Sequence, residues 1–287
     1  MHELKRVLVV GAGTMGSQIA LQTALSGRYE VTLVDSAPGQ LDRARAQNRR
    51  LLDRSVEKGR LSEAAADEAH ARIHDSADLA SVAGSADLVI EAVIEDFDAK
   101  KSVFDALGRH ANKDAVLASN SSTIAISRLA GITGRPEQCC NMHFFHPVTV
   151  MQLCEVVKGP KTSDATVETA MEFVRSIDRT PVLLQKEIWG FIVNRILFAA
   201  SVEEAMRLLE GGYASAEDID TAVQKGLNWP MGPFHLLDFS GLDIFYGAMK
   251  DRHRQGEGSD APELLRNLVE AGHLGRKSGK GFFEYPK

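Results

Sequence analysis

Three groups of polar side chains interrupt apolar stretches of this 287-residue chain: Asn120-Ser121-Ser122, the histidines His143 and His146 around Phe144-Phe145, and Glu155 within Leu153-Cys154-Glu155-Val156-Val157. These residue types suit removal of a proton from an alcohol. Histidine titrates near neutral pH and serves as a general base worth roughly 10²- to 10⁴-fold in rate. A carboxylate flanked by apolar residues needs a partner for its charge. An imidazole N–H supplies one, and the acid in turn orients the ring and stabilises the imidazolium. Taken singly, each residue has an ordinary alternative, because one histidine in a strand is more often a satisfied core residue.

A base that takes the proton of an alcohol works with an acceptor for the hydride, and the amino terminus carries the pattern that holds one. Val7-Leu8-Val9-Val10 is an apolar run of the kind a strand buried on both faces requires, and it leads into Gly11-Ala12-Gly13-Thr14-Met15-Gly16. In this GxGxxG, Gly11 allows the tight turn, Gly13 lets the backbone approach a pyrophosphate, and Gly16 lets the next helix pack close to the strand. The amides of the helix opening at Thr14 and Met15 face the phosphates. Ile19, Ala20, Thr23 and Ala24 continue the helical spacing, Gly27 suits its end, and Val31-Thr32-Leu33-Val34-Asp35 reads as the next parallel strand. Asp35 lies 19 residues beyond Gly16, where an acid meets the adenosine ribose hydroxyls. The carboxylate would repel a 2′-phosphate, and Ser36-Ala37-Pro38 has no arginine to receive one, so the expected cofactor is NAD. The alternative for GxGxxG alone is an ordinary glycine-rich loop.

Further strands are expected at 87–92, 115–119 and 140–144, with Pro181-Val182-Leu183-Leu184 the last strand signal. Alternating strands and helices imply an α/β fold, a doubly wound Rossmann-type parallel sheet whose ligands sit beyond the carboxyl ends of the strands. Glu91, Ser119 to Ser122 and His143 to His146 fall at such ends. A long apolar helix over 191–210 and further helical segments follow. The expected domains are therefore a dinucleotide-binding unit, 1–187, and a smaller all-helical unit, 188–287, with 256–259 a mobile loop. So apolar a helix needs more cover than a small domain gives, which predicts a homodimer through the helical part. The segment 41–58 is amphipathic: Leu41, Ala44, Leu51, Leu52 and Val56 share one face, while Arg43, Arg50 and Arg54 gather opposite, with Lys58 near the edge. It reads either as a landing strip for a phosphorylated ligand such as coenzyme A or as a solvated helix face.

With 44% apolar and 25% charged residues, the chain matches an average globular mixture, which argues against disorder and fibrous repeats. The net charge of -6 gives no overall field for nucleic acid or an anionic membrane. Lys5 and Arg6 before an uncharged run imitate a signal peptide, but Gly11, Gly13 and Gly16 and the polar Ser17, Gln18, Gln22 and Thr23 argue against that reading. Cys139, Cys140 and Cys154 are an odd trio that fits a reduced compartment, so the cytoplasm is the expected location. No cysteine and histidine spacing suggests a metal site.

The chain resembles the L-3-hydroxyacyl-CoA dehydrogenases, especially the short bacterial 3-hydroxybutyryl-CoA type. The likeness spans nearly the whole length: the Gly11 to Gly16 turn, Glu91-Ala92-Val93-Ile94-Glu95, Ser119-Asn120-Ser121-Ser122, and His143 through Val150-Met151 to Glu155. It continues through Gly190-Phe191-Ile192-Val193-Asn194-Arg195, Asn228-Trp229-Pro230-Met231-Gly232-Pro233-Phe234 and Gly275-Arg276-Lys277-Ser278-Gly279-Lys280-Gly281-Phe282. The resemblance implies NAD-dependent interconversion of short L-3-hydroxyacyl-CoA and 3-oxoacyl-CoA. It makes His143 the catalytic base, Glu155 its partner, and Ser122 and Asn194 polar contacts at the reacting oxygen. It places Glu95, Lys100, Ser122 and Lys277 around the ribose and nicotinamide side of the cofactor, and Lys58, with Arg54 beside it, against coenzyme A. Three positions depart from the family: His146 replaces an asparagine and would donate to the substrate carbonyl or alter acyl preference, Trp189 replaces a proline, and Leu51 replaces a serine. His146 and Leu51 motivate a rival reading, a dehydrogenase of a free hydroxy acid or sugar acid on the same scaffold. A second rival is a protein that binds NADH without turnover.

Overall fold

The computed structural model describes residues 4–286, with backbone only at 198–200. The chain divides into two compact units, Met1–Phe191 and Ile192–Lys287, a few residues beyond the expected boundary at 187. No helix among the described residues is long and apolar enough to cross a membrane.

The first unit is built on one eight-stranded sheet. In chain order its elements are β1 (Arg6–Val10), α1 (Thr14–Leu25), β2 (Glu30–Val34), α2 (Gln40–Glu57), α3 (Glu63–Ala71), β3 (Ile73–Ser76), α4 (Leu79–Ala83), β4 (Leu88–Glu91), α5 (Phe97–His110), β5 (Val116–Ser119), α6 (Ser127–Ala130), β6 (Cys139–Phe144), β7 (Leu153–Val157), α7 (Asp164–Ser176) and β8 (Thr180–Leu184). The strand order is β3-β2-β1-β4-β5-β6-β7-β8, so the order reverses between β1 and β4. That switch point opens a crevice at the carboxyl ends of the strands.

Continuous apolar runs form these strands because both sheet faces are covered. Side chains alternate across the sheet. Val7 and Val9 join a core with Ile19 of α1, Leu52 of α2 and Phe173 of α7. Leu8 and Val10 join the opposite core, which holds Phe104 and Leu107 of α5 and Leu129 of α6. Two features differ from expectation. The edge strand β3 carries no apolar run, since only Ile73 of its four residues is apolar, and it forms by pairing in parallel with β2. The sheet is also not parallel throughout: β7 pairs antiparallel with β6, and β8 follows β7 in parallel, so the last two strands oppose the first six.

The second unit is helical. Instead of one uninterrupted helix over 191–210, Phe191 stands outside in a left-handed conformation (φ 52), a short α8 (Val193–Arg195) begins the helix, Ile196–Val202 is π-helical, and α9 (Glu203–Glu210) completes it. Then come α10 (Ala216–Leu227), α11 (Pro233–Ser240), α12 (Leu242–Arg254) and α13 (Glu263–Glu270). Two buried acids organise this unit. Asp220 accepts the backbone N–H groups of Phe234 and His235 at the start of α11, and Asp238 accepts those of Phe282 and Phe283 together with the Tyr285 hydroxyl. The family motifs around Gly232 and Gly281 therefore have a local structural use. In the 256–259 segment, expected to be a mobile loop, Arg195 donates to the Glu257 carboxylate and Arg252 to its carbonyl.

The closeness of α1 to β1 rests on Gly16, where a β-carbon would lie 1.8 Å from the Gly11 carbonyl oxygen. Gly16→Ala is therefore expected to destabilise the first unit by on the order of 1–3 kcal/mol through overpacking, read as a lower midpoint in thermal denaturation.

Candidate active site

At the switch point, β1 ends in a turn that its glycines make possible. Gly11 has φ 103, its N–H donates to the Val34 carbonyl at 2.7 Å, and a β-carbon there would strike the Ala92 backbone. Gly13 caps α1 without a side-chain hydrogen bond, and a β-carbon on it would meet nothing within 4 Å. The backbone at Gly13 is therefore open to a ligand, and the first amides of α1 lie beyond the reach of intrahelical acceptors, the arrangement that receives an anion at a helix N-terminus. The Asp35 Oδ2 accepts the Ala12 N–H and Oδ1 accepts that of Ala37, both at 2.8 Å, so the acid expected at the ribose also holds the glycine turn. Each of these oxygens keeps a lone pair for a hydroxyl. Gln40 clamps the same turn by donating to the Ala12 carbonyl at 2.7 Å. These residues fit a dinucleotide.

His143, next to last in β6, stands beside its antiparallel partner Glu155, directly opposite in the β6–β7 register. Both point to the face away from Met142, Phe144, Cys154 and Val156, which fill one core. His143 Nδ1 lies 2.8 Å from Glu155 Oε2, and the Glu155 side chain is wholly buried. A buried carboxylate accepts, so the proton resides on Nδ1 and the lone pair on Nε2. That Nε2 is 2.9 Å from Ser122 Oγ, whose hydroxyl donates to it. The rings of Phe145 and Phe191 flank the imidazole, with centroids 4.5 and 5.4 Å away. The arrangement is a polarised base whose free nitrogen accepts a proton from a hydroxyl.

Ser122 is held in turn by Glu95. One Glu95 oxygen accepts the Ser121 hydroxyl at 2.5 Å, the Ser122 and Thr123 N–H groups at 3.0 Å, and the Thr123 hydroxyl at 2.9 Å. Burial alone would push the Glu95 carboxyl up, but the Lys100 charge and these donors bring it below the usual carboxylate range. Lys100, expected around the ribose and nicotinamide side of the cofactor, is buried. Its ammonium is 2.7 Å from Glu91, 3.3 Å from the Val93 carbonyl and 3.2 Å from the second Glu95 oxygen. Three oxygens thus surround a group with three N–H donors, so Lys100 supports Glu95 from within the protein.

His146 is exposed, with Nε2 3.4 Å from the Gln18 side-chain nitrogen. The Gln18 amide is oriented by accepting the Val148 N–H at 2.9 Å, so it turns its NH₂ toward His146. Trp189 is buried just before Gly190 and Phe191. Arg50 and Arg54 on α2 and Lys58 at its C-terminal cap form one exposed row at four-residue spacing, and no contact among the described residues ties them to His143. Leu51 packs against the core, as an apolar replacement should. Asn194 and Lys277 belong to the second unit, Asn194 half-buried in α8 and Lys277 paired with Asp243 at 2.5 Å. The cysteines are all free and buried, and burial pushes the Cys139 thiol up to about 11, which suits small core residues. Gln40 and Gln18 carry no functional signal in the sequence, and Asn120, marked there only as part of a polar group, is a clamp whose side-chain carbonyl oxygen accepts the Phe144 N–H at 2.9 Å. An isolated amide carries no spacing signal, so only the fold reveals such a clamp.

Comparison with known proteins agrees with this geometry. Residues 6–188 match the 3-hydroxyacyl-CoA dehydrogenase NAD binding domain, and residues 190–285 match the 3-hydroxyacyl-CoA dehydrogenase C-terminal domain. A probable 3-hydroxybutyryl-CoA dehydrogenase of Deinococcus radiodurans is 41% identical over 280 residues, spanning 96% of this chain and 99% of its own. The mitochondrial hydroxyacyl-coenzyme A dehydrogenase of Rattus norvegicus is 38% identical over 98% of this chain and 91% of its own. The crystal structure of (S)-3-hydroxybutyryl-CoA dehydrogenase from Ralstonia eutropha superposes with a TM-score of 0.93 at 36% identity, covering 99% of this chain and 100% of that one. With a glycine turn, an acid-backed histidine and both family domains matched in order, the chain belongs to the 3-hydroxyacyl-CoA dehydrogenase family.

Proposed function

We propose that this protein oxidises short L-3-hydroxyacyl-CoA to 3-oxoacyl-CoA with NAD and catalyses the reverse reduction. The observation that carries the reading is the continuous contact from Ser122 Oγ to His143 Nε2 and from His143 Nδ1 to Glu155. The bound nicotinamide supplies a carbon that accepts or returns hydride. Everything else is protein chemistry. The substrate hydroxyl presents its proton to His143 Nε2, and Ser122 orients the same oxygen. As the ring becomes imidazolium, Glu155 compensates its charge without a change of partner. In reduction the imidazolium returns the proton to the oxygen. Phe145 and Phe191 shield the ring, which keeps the pair in a low-dielectric setting.

The amides of Thr14 and Met15 beside Gly13 would hold the dinucleotide phosphates, and Asp35 the adenosine ribose. Glu95, with Lys100 beneath it, would hold the nicotinamide ribose. Arg54 and Lys58 meet the phosphates of coenzyme A, favoured by their shared row with Arg50 and by the names of the relatives. We further infer a homodimer through the second unit, where the exposed apolar side chains Ile196, Tyr213, Leu227, Trp229, Phe239 and Ile244 lie.

His143→Ala should lower kcat for acetoacetyl-CoA reduction roughly 10²- to 10⁴-fold, in steady-state assays run beside free acetoacetate. Activity on the free acid but on no thioester would favour the rival substrate class, and NADH binding without turnover would favour the binding-only one. Asp35→Ala should weaken NAD binding by more than about tenfold, roughly 1.4 kcal/mol, by calorimetric titration; a native preference for NADP would contradict the ribose assignment. Light scattering of the purified chain should give twice its 31.2 kDa.

A further inference from the structure

Glu91 is the last residue of β4, opposite Val10 of β1 and Ser119 of β5, so its carboxylate lies at the switch point of the sheet. Its side chain has no exposure at all, and the hydride transfer described above makes no use of it. A buried carboxylate is costly unless it is paired and hydrogen-bonded, and here it is both. Oε1 accepts the Val93 N–H at 2.8 Å and Lys100 at 2.7 Å, and Oε2 accepts the Ser119 hydroxyl at 2.6 Å.

Two arms leave this carboxylate and meet again. In one, the Ser119 hydroxyl donates to Glu91, which turns its oxygen lone pair toward the Ser121 N–H at 3.2 Å. In the other, Lys100 reaches from Glu91 to Glu95, and Glu95 holds Ser121, Ser122 and Thr123. Both arms end on the 120–123 loop, which presents the Ser122 hydroxyl to His143 Nε2.

We propose that Glu91 is a positioning residue for the reaction: as a buried double acceptor it sets the loop that aims Ser122 at His143. The proposal rests on the assigned roles of Ser122 and His143. Replacement by glutamine keeps the shape but turns one acceptor into a donor, so the Ser119 hydroxyl loses its acceptor and the loop loses one arm. Ser119→Ala cuts the same arm with a smaller change.

The test compares wild-type, Glu91→Gln and Ser119→Ala full-length protein in steady-state reduction of acetoacetyl-CoA by NADH, thermal melting, and ¹⁵N NMR of the His143 ring. A shift of active-site geometry of about 1 Å costs up to the order of 10²-fold. Glu91→Gln should therefore lower kcat about ten- to a hundredfold with KM for acetoacetyl-CoA changed less than about twofold. Ser119→Ala should move kcat in the same direction by a smaller factor. In both, the His143 Nε2 resonance should move as the Ser122 hydrogen bond is lost. Unchanged kcat in both variants, or a fall in kcat with the His143 resonances unmoved, would overturn the proposal. If Glu91→Gln fails to fold, Ser119→Ala decides alone. The NMR comparison needs no turnover, so a wild type inactive on the thioester would refute the functional reading while the positioning role was still judged by the resonances.

Discussion

The hydrogen bond from His143 Nδ1 to Glu155 is the constraint around which the first unit makes sense. A wholly buried carboxylate is tolerated only where a charge or donor answers it, and the imidazole answers it at 2.8 Å. The consequence runs outward: with Nδ1 committed, Nε2 is left as the acceptor, and the ring presents one lone pair to one hydroxyl. The pairing depends on chain direction. In the antiparallel β6–β7 ladder the two residues stand directly across from each other on one face, so neither needs a loop to reach the other. The reversal of β7 departs from a purely parallel sheet, and it is what joins base and acid.

The switch point brings the other half of the chemistry to the same edge. Glycine 11 closes the turn, glycine 13 leaves room before the helix amides, and Asp35 and Gln40 hold the turn from the neighbouring connection. Two carboxylates, Glu91 and Glu95, share one buried ammonium, Lys100, and Glu95 in turn accepts from Ser121, Ser122 and Thr123, so the loops after β4 and β5 are joined by charge-assisted hydrogen bonds rather than left to their own conformational freedom. Placement of reacting groups on strand ends, with polar supports beneath, is how a scaffold made of apolar strands holds polar groups at fixed positions.

Several readings made from residue order alone agree with the structure because the physics behind them is local. The turn from Val10 to Gly16 is contiguous, and its conformation follows from glycine geometry and helix N-terminal amides whatever else the chain does. The acid at Asp35 follows from the length of one strand–helix–strand unit. The apolar face of α2 was legible from its period, and so was the α/β alternation up to β6. The helical second half was also legible, although its first helix contains a π-helical stretch that apolar periodicity does not announce. The edge strand β3 was not legible, because pairing with β2 rather than an apolar run makes it a strand.

The amino-acid order by itself determined the dinucleotide turn, the α/β alternation of the apolar strands and the identity of the residues fit for proton transfer, since each depends on neighbours within one supersecondary unit. Only the tertiary structure decided who partners whom. His143 meets Glu155 because β7 reverses, and Ser122 reaches His143 because β5 and β6 are adjacent. These contacts join residues that are distant in sequence, and strand order and direction, which no local pattern encodes, set the distances between them.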